Sequence, residues 1–296
     1  MKDYQFTSAH GLLECCRSKK ISISEAMLRR EAVVLGNSAD HCQLRMSKAY
    51  KIMKEAVATA LESPPETMGG LIGGEAIRLN NQRLAGKNLC GNVVSKAISY
   101  AMGVLEVNAS MGLIVAAPTA GSSGVLPGVL IALQEEHGFA DDKMLDALFN
   151  AAAVGYLIAH NATIAGAEGG CQAEVGAASA MAASAAVQLF GGTPEQCLSA
   201  AASALANLLG LVCDPIGGLV EAPCQKRNAI GASNALICAE ITLSGTPSII
   251  PLDEMIAAMY SVGRALPREL RETALGGIAA QPSACSLCSS FNSCKK

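Results

Sequence analysis

Runs of small and apolar residues fill most of this chain, and Gly, Pro, Ser and Asn break them at short intervals. Residues 7–35 read as a helical start, with Ser22 or Ser24 placed to cap a helix through Glu25-Ala-Met-Leu-Arg-Arg-Glu-Ala-Val-Val-Leu. A second helix is predicted from Ala39 to Leu61. Ser63-Pro-Pro stops it, because proline bars the residue before it from the helical conformation. Residues 66–92 are richer in glycine and charge. Within them, Met68-Gly-Gly-Leu-Ile-Gly-Gly-Glu reads as a bend between helices and Leu89-Cys90-Gly91-Asn92 as a helix entry. Residues 93–107 are helical by pattern and lead into the loop Ala116-Ala-Pro-Thr-Ala-Gly-Ser-Ser-Gly-Val-Leu-Pro-Gly.

From Val129 to Val212 the pattern predicts helices with short connections. Gly191-Gly-Thr193-Pro-Glu195 is a stop and restart, with threonine at the cap, proline at the first helical position and an acid in the first turn. Asp214 to Pro223 reads as a loop, Arg227 to Leu243 and Leu252 to Ala265 as helices, and Gln281 to Lys296 as an extended Ser/Cys-rich tail. The uncharged stretch Val107–Leu133 is long enough to cross a bilayer, but Pro118, Gly121, Gly124 and Pro127 would leave unpaired backbone groups in lipid. Helix–loop–helix within a core accounts for it, so no membrane association is expected.

Composition sharpens the fold class. Of the 296 residues 51% are hydrophobic, yet only 3% are aromatic and none is tryptophan, so the apolar mass is mainly alanine and other small side chains. That favours closely packed helices over a β-sandwich. The expected fold is all-α: one helical domain over residues 1–280, whose Gly/Pro-rich loops converge on a site, followed by a Cys-rich tail over 281–296. A net charge of −3, with no basic block beyond Lys295-Lys296, argues against nucleic acid as a partner. The polar start Met1-Lys-Asp-Tyr-Gln-Phe has no apolar run of a secretion signal. The 12 cysteines lack the compact spacing of a secreted disulfide scaffold, so a reducing, cytoplasmic setting is expected.

Three cysteines stand apart by their surroundings: Gly-Gly-Cys171-Gln, Val-Cys213-Asp-Pro-Ile-Gly-Gly and Glu-Ala-Pro-Cys224-Gln-Lys-Arg-Asn. A metal-binding thiolate needs an irregular backbone to aim it and nearby donors to stabilise its charge. Three such thiolates would hold three irons of a [4Fe–4S] cluster and leave the fourth open. Their spacing is not a CxxC signature, so packing is the alternative reading. Cys42, Cys90, Cys197, Cys238 and the pair Cys15-Cys16 read as packing residues. The tail, with Cys285, Cys288 and Cys294, offers either incidental thiols or a mobile ligand.

Thr119, Gly121, Ser122, Ser123 and Gly124 form a polar loop whose hydroxyls and N–H groups suit a small carboxylate; a tight helix–helix turn is the bland alternative. His160 lies at an apolar helix end, where a satisfied core histidine is the commoner outcome. Glu168 and Glu174 flank Cys171 in apolar sequence, where a carboxylate needs a partner or a proton. Lys226-Arg227 after Cys224 supplies positive charge for a cluster or a substrate carboxylate, or is simply solvated.

Five stretches together resemble the iron–sulfur-dependent L-serine dehydratases: Glu106-Val-Asn-Ala-Ser-Met-Gly, the loop from Ala116 to Gly128, Gly166-Ala-Glu-Gly-Gly-Cys-Gln-Ala-Glu-Val-Gly, the run from Cys213 to Asn228, and Arg271-Glu-Thr-Ala-Leu-Gly-Gly-Ile-Ala. The length resembles the separate α subunit of the two-chain bacterial form. The resemblance implies an all-helical catalytic domain and a [4Fe–4S] cluster on Cys171, Cys213 and Cys224. It also implies a tail cysteine, Cys294 being the nearest match, that reaches the open iron when substrate is absent.

The implied reaction is β-elimination of water from L-serine, giving pyruvate and ammonia, with the open iron as Lewis acid on the hydroxyl. The Thr119–Gly124 loop and Arg227 are the expected carboxylate binders. For the base, the family has a Ser-Ser-His-Thr-type motif in a separate α/β domain. No such motif occurs here, so a partner β subunit is expected to contribute it, with His160, Glu168 and Lys226 as alternatives within the chain. Two rival readings are a cysteine desulfidase-like lyase on the same scaffold and a non-catalytic Fe–S sensing subunit.

Overall fold

The computed structural model describes residues 4–290. Among them lie α1 (Ala9–Lys19), α2 (Ile23–Leu35), α3 (Ala39–Glu62), α4 (Glu75–Leu84), α5 (Gly91–Ala109), α6 (Val125–His137), α7 (Asp141–Asn161), α8 (Gly166–Gly169), α9 (Ala177–Leu189), α10 (Pro194–Ala206), α11 (Cys224–Leu243), α12 (Leu252–Ala265) and α13 (Pro282–Ser290). No strand occurs among the described residues; a single parallel bridge pairs Cys213 with Arg271. The all-α expectation holds.

Helix starts follow the expected chemistry. Ser8, Ser22 and Ser38 accept first-turn N–H bonds at the heads of α1, α2 and α3. Thr193 and Gln196 form a reciprocal capping box at the head of α10, with Pro194 inside it. Three boundaries differ from the sequence reading. α4 lies within the Gly-rich 66–92 stretch. α11 begins at Cys224, a turn before Arg227. Residues 282–290 are helical rather than extended, and α13 packs against the turn Ile216–Gly218. Cys90, expected to pack, is exposed at the head of α5.

α9 is the centre of the molecule. Every residue from Ala177 to Val187 is buried, and α6, α7, α10 and α11 pack around it. A helix apolar all round belongs in a core, and its alanines let neighbouring backbones come close. The same economy governs α5 against α6. A Cβ on Gly128 would lie 2.7 Å from Ala97 O and 2.9 Å from Ala101 Cβ, so only glycine permits this approach.

Two buried carboxyl groups fasten the 69–76 segment to the rest. Glu221 accepts from Gly69 N–H at 2.6 Å and Leu71 N–H at 2.8 Å. Glu106, on α5 and fully buried, accepts through Oε1 from Ala76 N–H at 3.0 Å and Gln225 Nε2 at 2.8 Å. It thereby joins α4, α5 and the first turn of α11. Gln225 Nε2 also reaches Glu75 Oε2 at 3.3 Å, whereas Glu106 Oε2 has no partner. Burial, assisted by the Glu75 charge, raises the Glu106 carboxyl above its ordinary value near 4.5, against the lowering effect of its backbone hydrogen bonds.

Gly128→Ala is expected to destabilise the chain by about 1–3 kcal/mol through overpacking, seen as a lower urea midpoint with unchanged helical circular dichroism. Because the folded Glu106 carboxyl holds its proton more tightly than the unfolded one, its contribution to stability is present below the unfolded value near 4.5 and is lost as pH rises through the raised folded value. Glu106→Gln keeps the acceptor for Ala76 and Gln225 and removes that titration. Urea unfolding of Glu106→Gln should therefore lose less stability between pH 4.5 and neutrality than the parent chain; identical pH slopes would show that Glu106 does not titrate in this range.

Candidate functional site

Two of the three selected cysteines begin helical turns. Cys171 precedes a π-helical turn, Gln172–Gly176, that runs into α9, and Cys224 is the first residue of α11. Helix N-terminal N–H groups and the helix dipole favour a thiolate at such positions, and π-turns recur at functional sites. Cys213 sits on the bridge to Arg271: its N–H donates to Leu270 O at 2.9 Å, and its carbonyl accepts from Glu272 N–H at 2.7 Å. All three thiols are buried.

The structure brings these three together. Cys213 feels the charges of both Cys171 and Cys224, and Cys171 feels that of Cys224. Burial pushes the Cys171 and Cys224 thiols up to about 12, and the Glu174 charge adds to it. Burial likewise raises Cys213, followed by Cys171 and Glu174. Arg227 opposes this at Cys171 and Cys224. It is held in place by Asp214 Oδ1, 2.8 Å from Nη2 in an ion pair without hydrogen-bond alignment, and by a 2.8 Å bond from Nη1 to Val212 O. Asp214 Oδ2 in turn accepts from Ile278 N–H at 2.8 Å, so the 213–214 turn, α11 and the C-terminal segment are mutually fixed.

Glu174, in the π-turn, lies between the thiols and the polar loop. Its Oε1 accepts from Thr119 Oγ1 at 2.7 Å, and its Oε2 is 3.9 Å from Cys213 Sγ, a weak sulfur contact. Burial raises its carboxyl, while the Thr119 bond pulls the other way. A Cβ on Gly166 would meet Glu174 Oε2 at 2.5 Å and Cys213 Sγ at 3.2 Å, so Gly166 opens the space these groups occupy.

The 119–124 loop forms a short 3₁₀ turn before α6. Ser122 Oγ meets Thr119 Oγ1 at 3.0 Å, and Ser123 Oγ donates to Ala120 O at 2.7 Å, so both buried hydroxyls serve the loop itself. Gly124 N–H donates to Asn228. The N–H groups of Ala120 and Gly121 have no acceptor among the described residues. Backbone rather than serine hydroxyls is what this loop presents. A Cβ on Gly121 would lie 3.2 Å from Glu174 Oε1, close enough to press on that carboxylate.

The remaining sequence candidates fall elsewhere. His160 is exposed and stacks on Tyr156, whose ring lies under the Arg30 guanidinium and edge-on to Phe6. Glu168 is exposed; its carbonyl accepts from Arg271 Nη1 at 3.5 Å and its N–H donates to Ala165 O at 3.1 Å. Lys226 is exposed, one residue beyond the buried Gln225. The charges that act on the thiols are Glu174, Glu272 and Arg227 instead. Cys294 lies outside the described residues. Asn228 is the residue that sequence reasoning missed. Its spacing of one turn from Cys224 on α11 was the available signal, because residues four apart share a helix face.

Among the described residues no three His, Cys, Asp or Glu side chains converge tightly enough for a single metal ion. A four-iron cluster spreads its cysteine ligands around a bulky core, so the donor set of three buried, mutually coupled thiols fits a cluster rather than a lone ion.

Residues 18–279 match the family model described as serine dehydratase alpha chain. The chain is similar to a protein from Bacillus subtilis named probable L-serine dehydratase, alpha chain, at 48% identity over 94% of this chain and 92% of that one. It is 42% identical to the L-serine dehydratase alpha chain of Peptoniphilus asaccharolyticus, over 92% of this chain and 93% of that one. The L-serine dehydratase of Helicobacter pylori is longer; at 37% identity, the match covers 93% of this chain and 62% of that protein. Matched by one family model from residue 18 to residue 279 and similar over most of its length to two alpha-chain relatives, the chain belongs to the serine dehydratase alpha chain family.

Proposed function

We propose that this chain is the catalytic alpha chain of an L-serine ammonia-lyase, removing water from L-serine to give pyruvate and ammonia. The observation that carries the reading is the convergence of Cys171, Cys213 and Cys224 beside Arg227, Glu174 and the open N–H groups of the 119–124 loop. Family membership supplies the substrate class, since the relatives are named L-serine dehydratases.

Buried thiols shifted this far upward stay protonated at neutral pH unless positive charge joins them. An iron–sulfur core is such a charge, and Cys171, Cys213 and Cys224 would hold three of its irons. When bound, it would supply one iron without a cysteine ligand, a Lewis acid toward the substrate hydroxyl. The chain's own residues do the rest. Arg227, locked by Asp214, stabilises the thiolates at Cys171 and Cys224. The Ala120 and Gly121 N–H groups receive the substrate carboxylate at the threshold of α6. Thr119 holds Glu174 against the pocket, and burial keeps that carboxyl toward its neutral form, a donor more than a base.

His160, Glu168 and Lys226 are all exposed and none is among the charges that act on the thiols, which favours a base supplied by a companion beta chain in a heterodimer. No helix is long and apolar enough to cross a membrane among the described residues. No disulfide joins the cysteines whose side chains are described, in keeping with a reducing, cytoplasmic setting.

The test is anaerobic. The chain is reconstituted with iron and sulfide, and visible and EPR spectra are recorded before and after L-serine. About four irons per chain and a serine-dependent spectral change are expected, with Cys171→Ala losing both. A colourless protein that takes up no iron would overturn the reading. Turnover of L-cysteine in preference to L-serine would favour a desulfidase, and a cluster indifferent to both would favour a sensing subunit. The reconstituted chain alone should show less than about 1% of the activity gained with the beta chain, as removal of a general base costs 10²-fold or more; near-full activity alone would place the base within the chain.

A further inference from the structure

The segment from Leu113 to Ala117 connects the end of α5 to the 119–124 loop. Among the described residues none of its backbone N–H or C=O groups has a hydrogen-bond partner. Peptide groups are normally paired within the chain or left to water, and open backbone in solvent is usually accompanied by polar side chains. Here the side chains are Leu-Ile-Val-Ala-Ala, with a β-branched pair suited to strand pairing. Ile114 and Val115 rest against the core on one side.

The surroundings are also apolar and open. Leu113 is 69% exposed and Met111 78%, the latter at φ 63°, a left-handed conformation that disfavours a side chain and recurs at functional sites. Met68, 71% exposed, is fastened alongside by its N–H bond to Ala109 O at 3.0 Å. Both loops border the site. Thr119, two residues beyond Ala117, holds Glu174. Glu221, three residues before Cys224, holds Gly69 and Leu71.

We propose that this surface is the docking site of the companion beta chain, which pairs backbone with residues 113–117 and covers Met68, Met111 and Leu113. The inference rests on reading the chain as the alpha chain of a serine dehydratase. Length argues for this occupant. The match covers 92% and 93% of the two alpha-chain relatives but only 62% of the Helicobacter pylori enzyme. In that longer chain a further portion of the same polypeptide is available to cover the equivalent edge; for relatives named alpha chain the counterpart is a companion chain. Position argues for it too. A chain docked on 68 and 111–117 sits over the 119–124 loop, where a proton acceptor is needed.

Hydrogen–deuterium exchange tests this, on the chain alone and on its complex with the co-expressed beta chain. The amides of Leu113 to Ala117 should exchange freely in the chain alone and slow by about 10-fold or more in the complex. Met111→Asp and Leu113→Asp should each weaken association by about 10-fold or more, without changing the melting curve or iron content of the isolated chain. A complex with these amides still exchanging freely, association indifferent to both substitutions, or no complex at all would overturn the proposal. So would protection that grows with concentration in the isolated chain, which would make a second copy the occupant. Failure of the substrate reading is separate: a protected complex inert toward L-serine would sink that reading alone, and an active complex without protection would sink only the docking site.

Discussion

Asn228 holds the candidate substrate loop and a cysteine turn with one side chain. Its Oδ1 accepts from Gly124 N–H at 3.0 Å, while Nδ2 donates to Gly121 O at 2.8 Å and to Cys224 O at 2.9 Å. The residue is fully buried, and a buried amide with these bonds satisfied fixes its partners' positions because any displacement leaves a polar group unpaired. The loop that presents open N–H groups and the helix start that presents a thiol therefore cannot move independently. Gln172 does the same for Cys171, donating to Met259 O and accepting from Gly210 N–H, both at 2.9 Å. Side-chain amides beside two of the three cysteines thus carry the precision of the site.

Such precision needs a frame that lets backbones approach, and the alanine-rich core provides it. α9 is packed on all sides by helices whose contact residues are small, and glycines at 128, 166 and 263 admit neighbours that a single Cβ would displace. The cost is electrostatic. Groups brought this close lose water, and the three thiols and the Glu174 carboxyl shift toward their neutral forms. Positive charge beside them would return them to their ionised forms. Arg227, already committed to Asp214 and Val212, contributes only part of that charge.

Around the site the backbone is less relaxed than in the helices. Met111, Glu272 and Ala274 adopt left-handed conformations without being glycine. Glu272 borders Cys213, and Met111 borders the open 113–117 segment. The helical core and the unpaired edge divide the labour: one gives the thiols fixed positions, the other is the edge proposed for a second chain.

Much of this was legible in the sequence. Alanine abundance with few aromatics dictated close-packed helices, and Ser22 and Thr193 announced helix starts because cap chemistry is local. The three cysteines declared themselves through their Gly and Pro neighbours, again a local signal. What the sequence could not reveal was convergence. Whether His160 or Glu174 faces the thiols depends on how α7 and the π-turn pack, and nothing near either residue encodes it. Ser122 and Ser123 read as ligand hydroxyls until folding turned them inward onto Thr119 and Ala120. Glu106 and Asn228 looked like polar residues in helical sequence; only tertiary contact with segments far along the chain made them fasteners. Local propensity sets elements and their ends, whereas the partners of a buried polar group are chosen by whichever distant backbone the packed core delivers to it.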